Sequence, residues 1–434
     1  MTLNPLAESL NSELSANGAS IFQMLSQKGK AIFFPSKGIL GQGGEAKGKE
    51  INATIGTALE DDGSPLVLPS VQKSLNLPKT AFLYAPSFGN PELRDAWKEQ
   101  IIRKNPSLQG KNFSRPVVSA ALTHAISCAG YLFLDPGEKV LIPDLYWDNY
   151  ELALENAYGA RIETFETFDG NGFNVKALEK ALEKDGIGKK VVLLNFPNNP
   201  TGYTATEKEA VQIAETLVRS AEKGNKIVVL LDDAYFGLVY EEGVTRESLF
   251  TKLVDAHKDI LAVKLDGPTK EDYVWGFRVG FVTFGFKGAT AEQLKALESK
   301  AAGAIRGNIS NAPNLSQKIL LEAYRSPEYV REKAEKYAVL KKRYDTIKAT
   351  LAAHPEYAEA FTPMPFNSGY FMCVKPIGID AESVRQELLE NYSTGTIMLK
   401  GLLRLAFSAV PTDKLPKLFD NVYHAILDLK HQNK

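Results

Sequence analysis

The sequence of 434 residues is poor in cysteine, tryptophan, methionine and histidine, with 2, 3, 5 and 5 of them respectively. Cys128 and Cys373 lie far apart and outside any CxxC pattern, which argues against a disulfide scaffold and fits a reducing compartment. Both are expected to be buried as small apolar residues. The histidines show no metal-ligand spacing, and no serine sits in a GxSxG elbow. A charge excess is missing too: 51 basic and 52 acidic side chains leave a net charge of -1, without the basic stripe that neutralises nucleic acid phosphates. No apolar run is long enough to span a bilayer, and Met1 to Ser20 has neither a basic head nor an apolar core. The expectation is a cytoplasmic protein with no nucleic acid partner and no membrane partner.

The chain is too long for one ordinary core, so two domains are expected. From about Val117 to Gly285, short β-branched runs alternate with amphipathic stretches, the pattern of an α/β protein with a mostly parallel sheet flanked by helices. Strands are expected at Lys139–Ile142, Arg161–Phe165, Val191–Leu194, Ile227–Leu231, Ile260–Leu265 and Val279–Phe284. Most lack alternation, as parallel strands covered on both faces should. Helices are expected at Thr123–Leu134 and Glu207–Lys223, the latter closing at Gly224. After Ala289 the pattern changes to long charged helices, notably Glu328–Ala353, and short strands near Tyr370–Val374 and Leu403–Phe407. This predicts a large domain over 70–305 and a smaller α+β domain built from 1–69 and 306–434. Gly43, Gly48 and Lys49 nearly form a phosphate loop, but Glu50 stands where a hydroxyl must reach magnesium, so a flexible glycine and lysine loop is the better reading.

Ligands of an open parallel sheet sit beyond the carboxyl ends of its strands. Three strands lead into polar residues: Asn195 to Gly202, Asp232 to Tyr235, and Asp266 to Lys270. Each alone reads as a turn, a cap or a solvated lysine. Together they bring an amide, a carboxylate, a phenol and an amine to one sheet edge, with Arg278 eight residues beyond Lys270. A Schiff-base lysine needs an electron sink, and a pyridine serves while its nitrogen stays protonated. Asp232 suits that task, and Tyr235 and Asn199 suit the ring's phenolic oxygen. Arg278 and the helix start at Thr123 offer donors for a phosphate.

With these residues in view, the sequence resembles the class I and II aminotransferases of pyridoxal phosphate fold type I, nearest the aspartate and aromatic branch. The likeness runs through Asn52 to Val71, Tyr84 to Arg94, Asn199 to Gly202, Asp232 to Tyr235, Lys270 to Gly280, Asn367 to Phe371, and Arg404. It implies that pyridoxal 5'-phosphate is the cofactor, bound to Lys270, with Asp232 and Tyr235 as further catalytic residues. It implies that Trp147, in Tyr146-Trp147-Asp148-Asn149, stacks on the ring, and that Leu122, Thr123, Asn199 and Arg278 complete the cofactor site. Arg404 matches the arginine that grips a substrate α-carboxylate, and Gly56 the glycine beside the substrate. Tyr84 matches a tyrosine that reaches the neighbouring subunit's cofactor phosphate, implying a homodimer. Arg306 resembles the partner-subunit arginine that binds a distal carboxylate. Gly267 and the pair Ala121-Leu122 depart from the family's phosphate-binding Ser and Ser-Gly. The implied activity is ping-pong amino transfer between an L-amino acid, aspartate, glutamate or aromatic, and a 2-oxo acid. A lyase or decarboxylase on the same fold, or a non-catalytic ligand sensor, remain the alternatives.

Overall fold

The computed structural model describes residues 3–15, 25, 27–32, 38–73, 77 and 79–432. Part of the Met1 to Ser20 stretch, 1–2 and 16–20, therefore lies outside the described residues.

Seven strands form the larger sheet: β1 (Val117–Ser119), β2 (Lys139–Pro143), β3 (Arg161–Phe165), β4 (Lys189–Asn195), β5 (Lys226–Asp232), β6 (Ile260–Asp266) and β7 (Gly280–Gly285). Their order is β1-β7-β6-β5-β4-β2-β3. The continuous apolar runs of β4, β5 and β6 are explained by burial on both faces. One face, with Val191, Leu193, Leu230 and Val263, packs with buried alanines and isoleucines of two helices, Ala121–Phe133 and Ala291–Ile309. The other, with Val192, Leu194, Val229 and Leu231, packs with residues of the helices Pro91–Lys104 and Glu207–Glu222. We number these helices in chain order: α1 (Pro91–Lys104), α2 (Ala121–Phe133), α3 (Glu207–Glu222) and α4 (Ala291–Ile309). Local chemistry fixes their ends. Asn90 caps α1 by accepting from Glu92 and Leu93 N–H, and Thr206 with Glu209 forms a capping box on α3.

Two helices, α5 (Asn314–Arg325) and α6 (Tyr329–Ala353), lead to the smaller sheet of β8 (Phe361–Pro363), β9 (Met372–Pro376), β10 (Ile397–Leu399) and β11 (Leu402–Leu405). That sheet is antiparallel with order β8-β9-β11-β10. The N-terminal stretch joins this lobe, since Ile51 and Asn52 pair in parallel with Thr394 and Gly395.

Several expectations are corrected. The strand expected at Val279–Phe284 is β7, and it runs antiparallel to both β6 and β1; an apolar run reports burial, not direction. The helix expected from Thr123 begins at Ala121, and the strands expected at Tyr370–Val374 and Leu403–Phe407 are Met372–Pro376 and Leu402–Leu405. The glycine stretch expected to be a flexible loop contains a helix, Ile39–Glu45, held by Gln42, which accepts from Met398 N–H at 2.6 Å and donates to its carbonyl at 3.2 Å. Finally, α4 runs unbroken across 305/306, where the smaller domain was expected to begin. Its Ala301, Ala304 and Ile305 are buried in the core of the larger sheet, and α5 beyond it also meets the large lobe, where Tyr324 packs against Trp97 of α1.

Candidate active site

Because β4, β5 and β6 are parallel and in register, their carboxyl ends meet: Asn195 pairs with Asp232, and Asp232 with Leu265. Just beyond lies a cavity of about 300 Å³, lined by residues from both lobes, among them Gly56, Leu122, Thr123, Trp147, Asn199, Asp232, Tyr235, Lys270, Arg278 and Arg404. Of the twelve expected site residues, ten line this cavity, and Tyr84 and Arg306 do not.

Lys270 sits on a one-turn helix, Pro268–Glu271, whose position is fixed by Tyr370 OH donating to the Lys270 carbonyl at 2.8 Å. Its amine lies 5.0 Å from the centre of the Tyr235 ring. Burial lowers its pKa to about 8, with Asp232 opposing that shift and Arg278 adding to it. At pH 7 such an amine is still mostly protonated, but its neutral fraction, roughly a tenth, far exceeds that of an ordinary lysine, and that fraction is what acts as a nucleophile or base.

Asp232 is only 3% exposed. Tyr150 OH donates to its Oδ2 at 2.5 Å, and Ala234 N–H to its Oδ1 at 3.0 Å. Burial pushes its pKa up, while the Tyr150 bond and the Lys270 charge pull it down. The phenol of Tyr150 is itself pushed well above its ordinary range by burial and by Asp232, so the shared proton stays on the tyrosine. Tyr150 is the main functional residue that the sequence reading missed. The available signal was its place three residues after Trp147, where the ring meets the indole edge to face at 5.6 Å.

Arg404, 3% exposed on β11, donates to Asn199 Oδ1 at 3.0 Å and to the Thr54 carbonyl at 3.4 Å. Its guanidinium lies 4.3 Å from the centre of the Phe371 ring, and its Nε has no partner among the described residues. Among the described residues it forms no ion pair. A buried guanidinium without a carboxylate is costly unless an anion arrives. Asn199 is held in turn by its N–H to Asn195 Oδ1 at 2.8 Å. The turn that carries it is locked to the small lobe: Gly202, at φ 72°, lies so close that an added Cβ would sit 1.9 Å from the Phe371 carbonyl oxygen. The two glycine-bearing motifs, 198–202 and 367–371, therefore pack backbone to backbone.

Ala121, Leu122 and Thr123 at the start of α2 also line the cavity, and no side chain caps that first turn, which leaves it open to an anion. Ala121 and Arg278 both adopt left-handed φ, 67° and 53°. Among the described residues, Arg278 bonds only to the Trp275 carbonyl, at 3.3 Å. The absence of a serine at Gly267 also has a steric reason. A Cβ there would lie 2.9 Å from the Val279 carbonyl oxygen and 3.1 Å from Leu122 Cδ1, so Leu122 fills the space a side-chain donor would need. Thr269, next to Lys270, has a buried hydroxyl without a partner among the described residues.

Tyr84 and Arg306 do not join the cavity of their own chain. Tyr84 is 90% exposed, and the exposed Arg306 bonds to Ser310 Oγ at 2.8 Å. They nevertheless belong to adjoining surface, since Asn314 Nδ2 donates to the Leu83 carbonyl at 2.8 Å and Ser87 Oγ to the Ser310 carbonyl at 3.3 Å.

Comparison with known proteins places residues 49–422 within the family model "Aminotransferase class I and II". The chain belongs to that family. Over 242 residues it is 31% identical to a probable N-acetyl-LL-diaminopimelate aminotransferase of Bacillus subtilis, covering 55% of each chain. Over 272 residues it is 30% identical to a probable aspartate/prephenate aminotransferase of Aquifex aeolicus, covering 63% of this chain and 64% of that one. The chain thus spans between half and two-thirds of the length of these two relatives. A crystal structure of an aminotransferase from Anaerococcus prevotii superposes with a TM-score of 0.82 at 25% identity, covering 93% of this chain and 99% of that one. Aspartate aminotransferase from Thermus thermophilus with maleate shares the fold, at a TM-score of 0.73 and 20% identity, over 92% and 99%. The α/β architecture is that of fold type I. For this family member the donor set fits pyridoxal 5'-phosphate: an uncapped helix start and Arg278 for a phosphate, a buried carboxylate for a pyridinium, and an amine for an aldehyde.

Proposed function

We propose that the chain is a pyridoxal 5'-phosphate-dependent aminotransferase that moves an amino group between an L-amino acid and a 2-oxo acid by a ping-pong mechanism. The observation that carries this reading is one cavity holding both a lysine of depressed pKa and a buried arginine without an anion. When bound, the cofactor supplies an electron sink for the carbanion left at the substrate Cα. The protein's part is binding, orientation and proton transfer. Leu122 and Thr123 N–H groups with Arg278 would hold the phosphate, Trp147 would cover the ring, and Tyr235 and Asn199 would donate to its phenolic oxygen. Asp232, whose ionised form the Tyr150 bond favours, would hold a proton on the ring nitrogen. Arg404 clamps the α-carboxylate beside Gly56, which leaves the Cα proton to Lys270 Nζ. That amine would hold the proton it takes and later release it.

The homodimer belongs to the same reading. Phe82, Leu83 and Tyr84 are 81%, 66% and 90% exposed, an apolar patch that a second copy would cover, and from which Tyr84 and Arg306 would reach the partner's site. So does a two-lobe division near 70–305 against 1–69 with 306–434, its seam moved beyond α4. A cytoplasmic location is supported by two buried free thiols, each pushed up to about 12 by burial. Aspartate, glutamate and aromatic amino acids are the proposed donors.

The test is the absorbance spectrum of cofactor-loaded protein before and after each amino acid is added singly. Loss of the bound cofactor's visible band, with its return on adding 2-oxoglutarate, is expected and ranks the donors. Release of pyruvate or ammonia without that exchange points to a lyase, and an unchanged spectrum with every amino acid to a sensor. Either result overturns the proposal.

A further inference from the structure

The hairpin β10–β11 turns at Lys400 and Gly401, both left-handed, with φ of 50° and 76°, as a tight two-residue hairpin turn requires. Glycine meets that demand freely, whereas lysine carries a backbone cost at the first position. Its side chain leaves the small lobe altogether. The Lys400 amine donates to the Asp144 carbonyl at 2.7 Å and lies 3.0 Å from the centre of the Tyr146 ring.

That seat is fixed to the large lobe. Asp144 N–H donates to the Phe165 carbonyl at 2.8 Å, Asp144 Oδ1 accepts from Thr167 N–H at 3.0 Å and its hydroxyl at 2.5 Å, and Asn198 Nδ2 donates to the Leu145 carbonyl at 3.1 Å. The next residue after Tyr146 is Trp147, in the cavity wall. On the other side of the contact, four residues along the hairpin from Lys400, stands Arg404. One hairpin thus carries two cations: its tip grips the loop of Trp147, and its strand presents the guanidinium to the cavity.

We propose that Lys400 is a positioning residue, a latch between the lobes that keeps the hairpin of Arg404 and the loop of Trp147 in one relative placement. The inference rests on the aminotransferase reading for what is positioned. Arg404 holds a substrate carboxylate in the ground state and in the transition state alike. A loosened hairpin therefore weakens binding without slowing chemistry.

The test uses the cofactor-loaded full chain with Lys400→Met, which keeps the stem and removes the charge. The expected result is a KM for the amino donor raised roughly tenfold, with kcat within about twofold, since only part of the lost charged hydrogen bond and cation–π contact reaches the substrate through Arg404. Amide exchange should quicken in both 144–150 and 397–404. Lys400→Arg should restore both readouts, and Lys375→Met, an exposed lysine of β9 in the same sheet, should move neither. Tyr146→Leu attacks the contact from the other side, removing the ring and not the Asp144 carbonyl, and the double variant should be no worse than Lys400→Met alone. Unchanged exchange in both segments of Lys400→Met, or a fall in kcat at constant KM, overturns the proposal. Exchange needs no turnover, so it tests the latch even if no amino acid proves to be a donor.

Discussion

Tyr150→Phe isolates one hydroxyl. The ring stays packed against Trp147, but Asp232 Oδ2 loses the donor at 2.5 Å. Both residues are buried, at 1% and 3% exposure, so bulk water does not replace the lost bond. A hydrogen bond to a charged group contributes about 1.5–3 kcal/mol, and its loss leaves a buried acceptor unsatisfied. The pH dependence follows from the direction of the Asp232 shift. Burial already holds its folded pKa above the unfolded value, and removing Tyr150 raises it further. The two proteins should therefore be equally stable in acid, where Asp232 is protonated in both. The difference should open as pH rises through the wild-type folded pKa and level off above that of the variant, at about 1.5–3 kcal/mol. Urea denaturation of the cofactor-free proteins across a pH series reads it directly. A loss of the same size at every pH, or none at neutral pH, would refute the view that Tyr150 acts by stabilising the ionised carboxylate.

Three further outcomes are expected. Cofactor capture by the empty protein should quicken as pH rises through about 8, where the Lys270 amine loses its proton; Asp232→Asn removes the anion that favours the charged amine, so the midpoint in a stopped-flow pH profile should move down, and an upward move contradicts the assignment. Gly267→Ser should weaken cofactor binding in a spectral titration, despite adding a hydroxyl, because its Cβ meets the Val279 carbonyl and Leu122. Gly202→Ala, with its Cβ 1.9 Å from the Phe371 carbonyl oxygen, should destabilise by about 1–3 kcal/mol or more in chemical denaturation.

The parallel strands were legible because burial on both faces demands continuous apolar runs, and their ends then announced Asn195, Asp232 and Lys270. Strand direction was not legible, as β7 demonstrates, because the same apolar composition serves either sense. Tyr150 escaped notice as one of 17 tyrosines, its partner Asp232 being 82 residues away and chosen by the fold alone. The helix Ile39–Glu45 opposes local propensity, since its glycines disfavour helix and the contacts of Gln42 with Met398 compensate. Tyr84 and Arg306 were legible only through family likeness. Within one chain they stay on the surface, and the site they are expected to serve belongs to a neighbour.

The solitary charge of Arg404 bears on how the protein behaves on the bench. An interior cation awaiting an anion makes the empty state the less stable one, so any small carboxylate that enters should stabilise the fold by mass action, by about 2.7 kcal/mol at a hundredfold excess over its dissociation constant, and raise the melting temperature accordingly. Thermal shift can then rank candidate substrates without turnover. Storage in acetate or citrate should make the protein look sturdier than storage in an amine buffer.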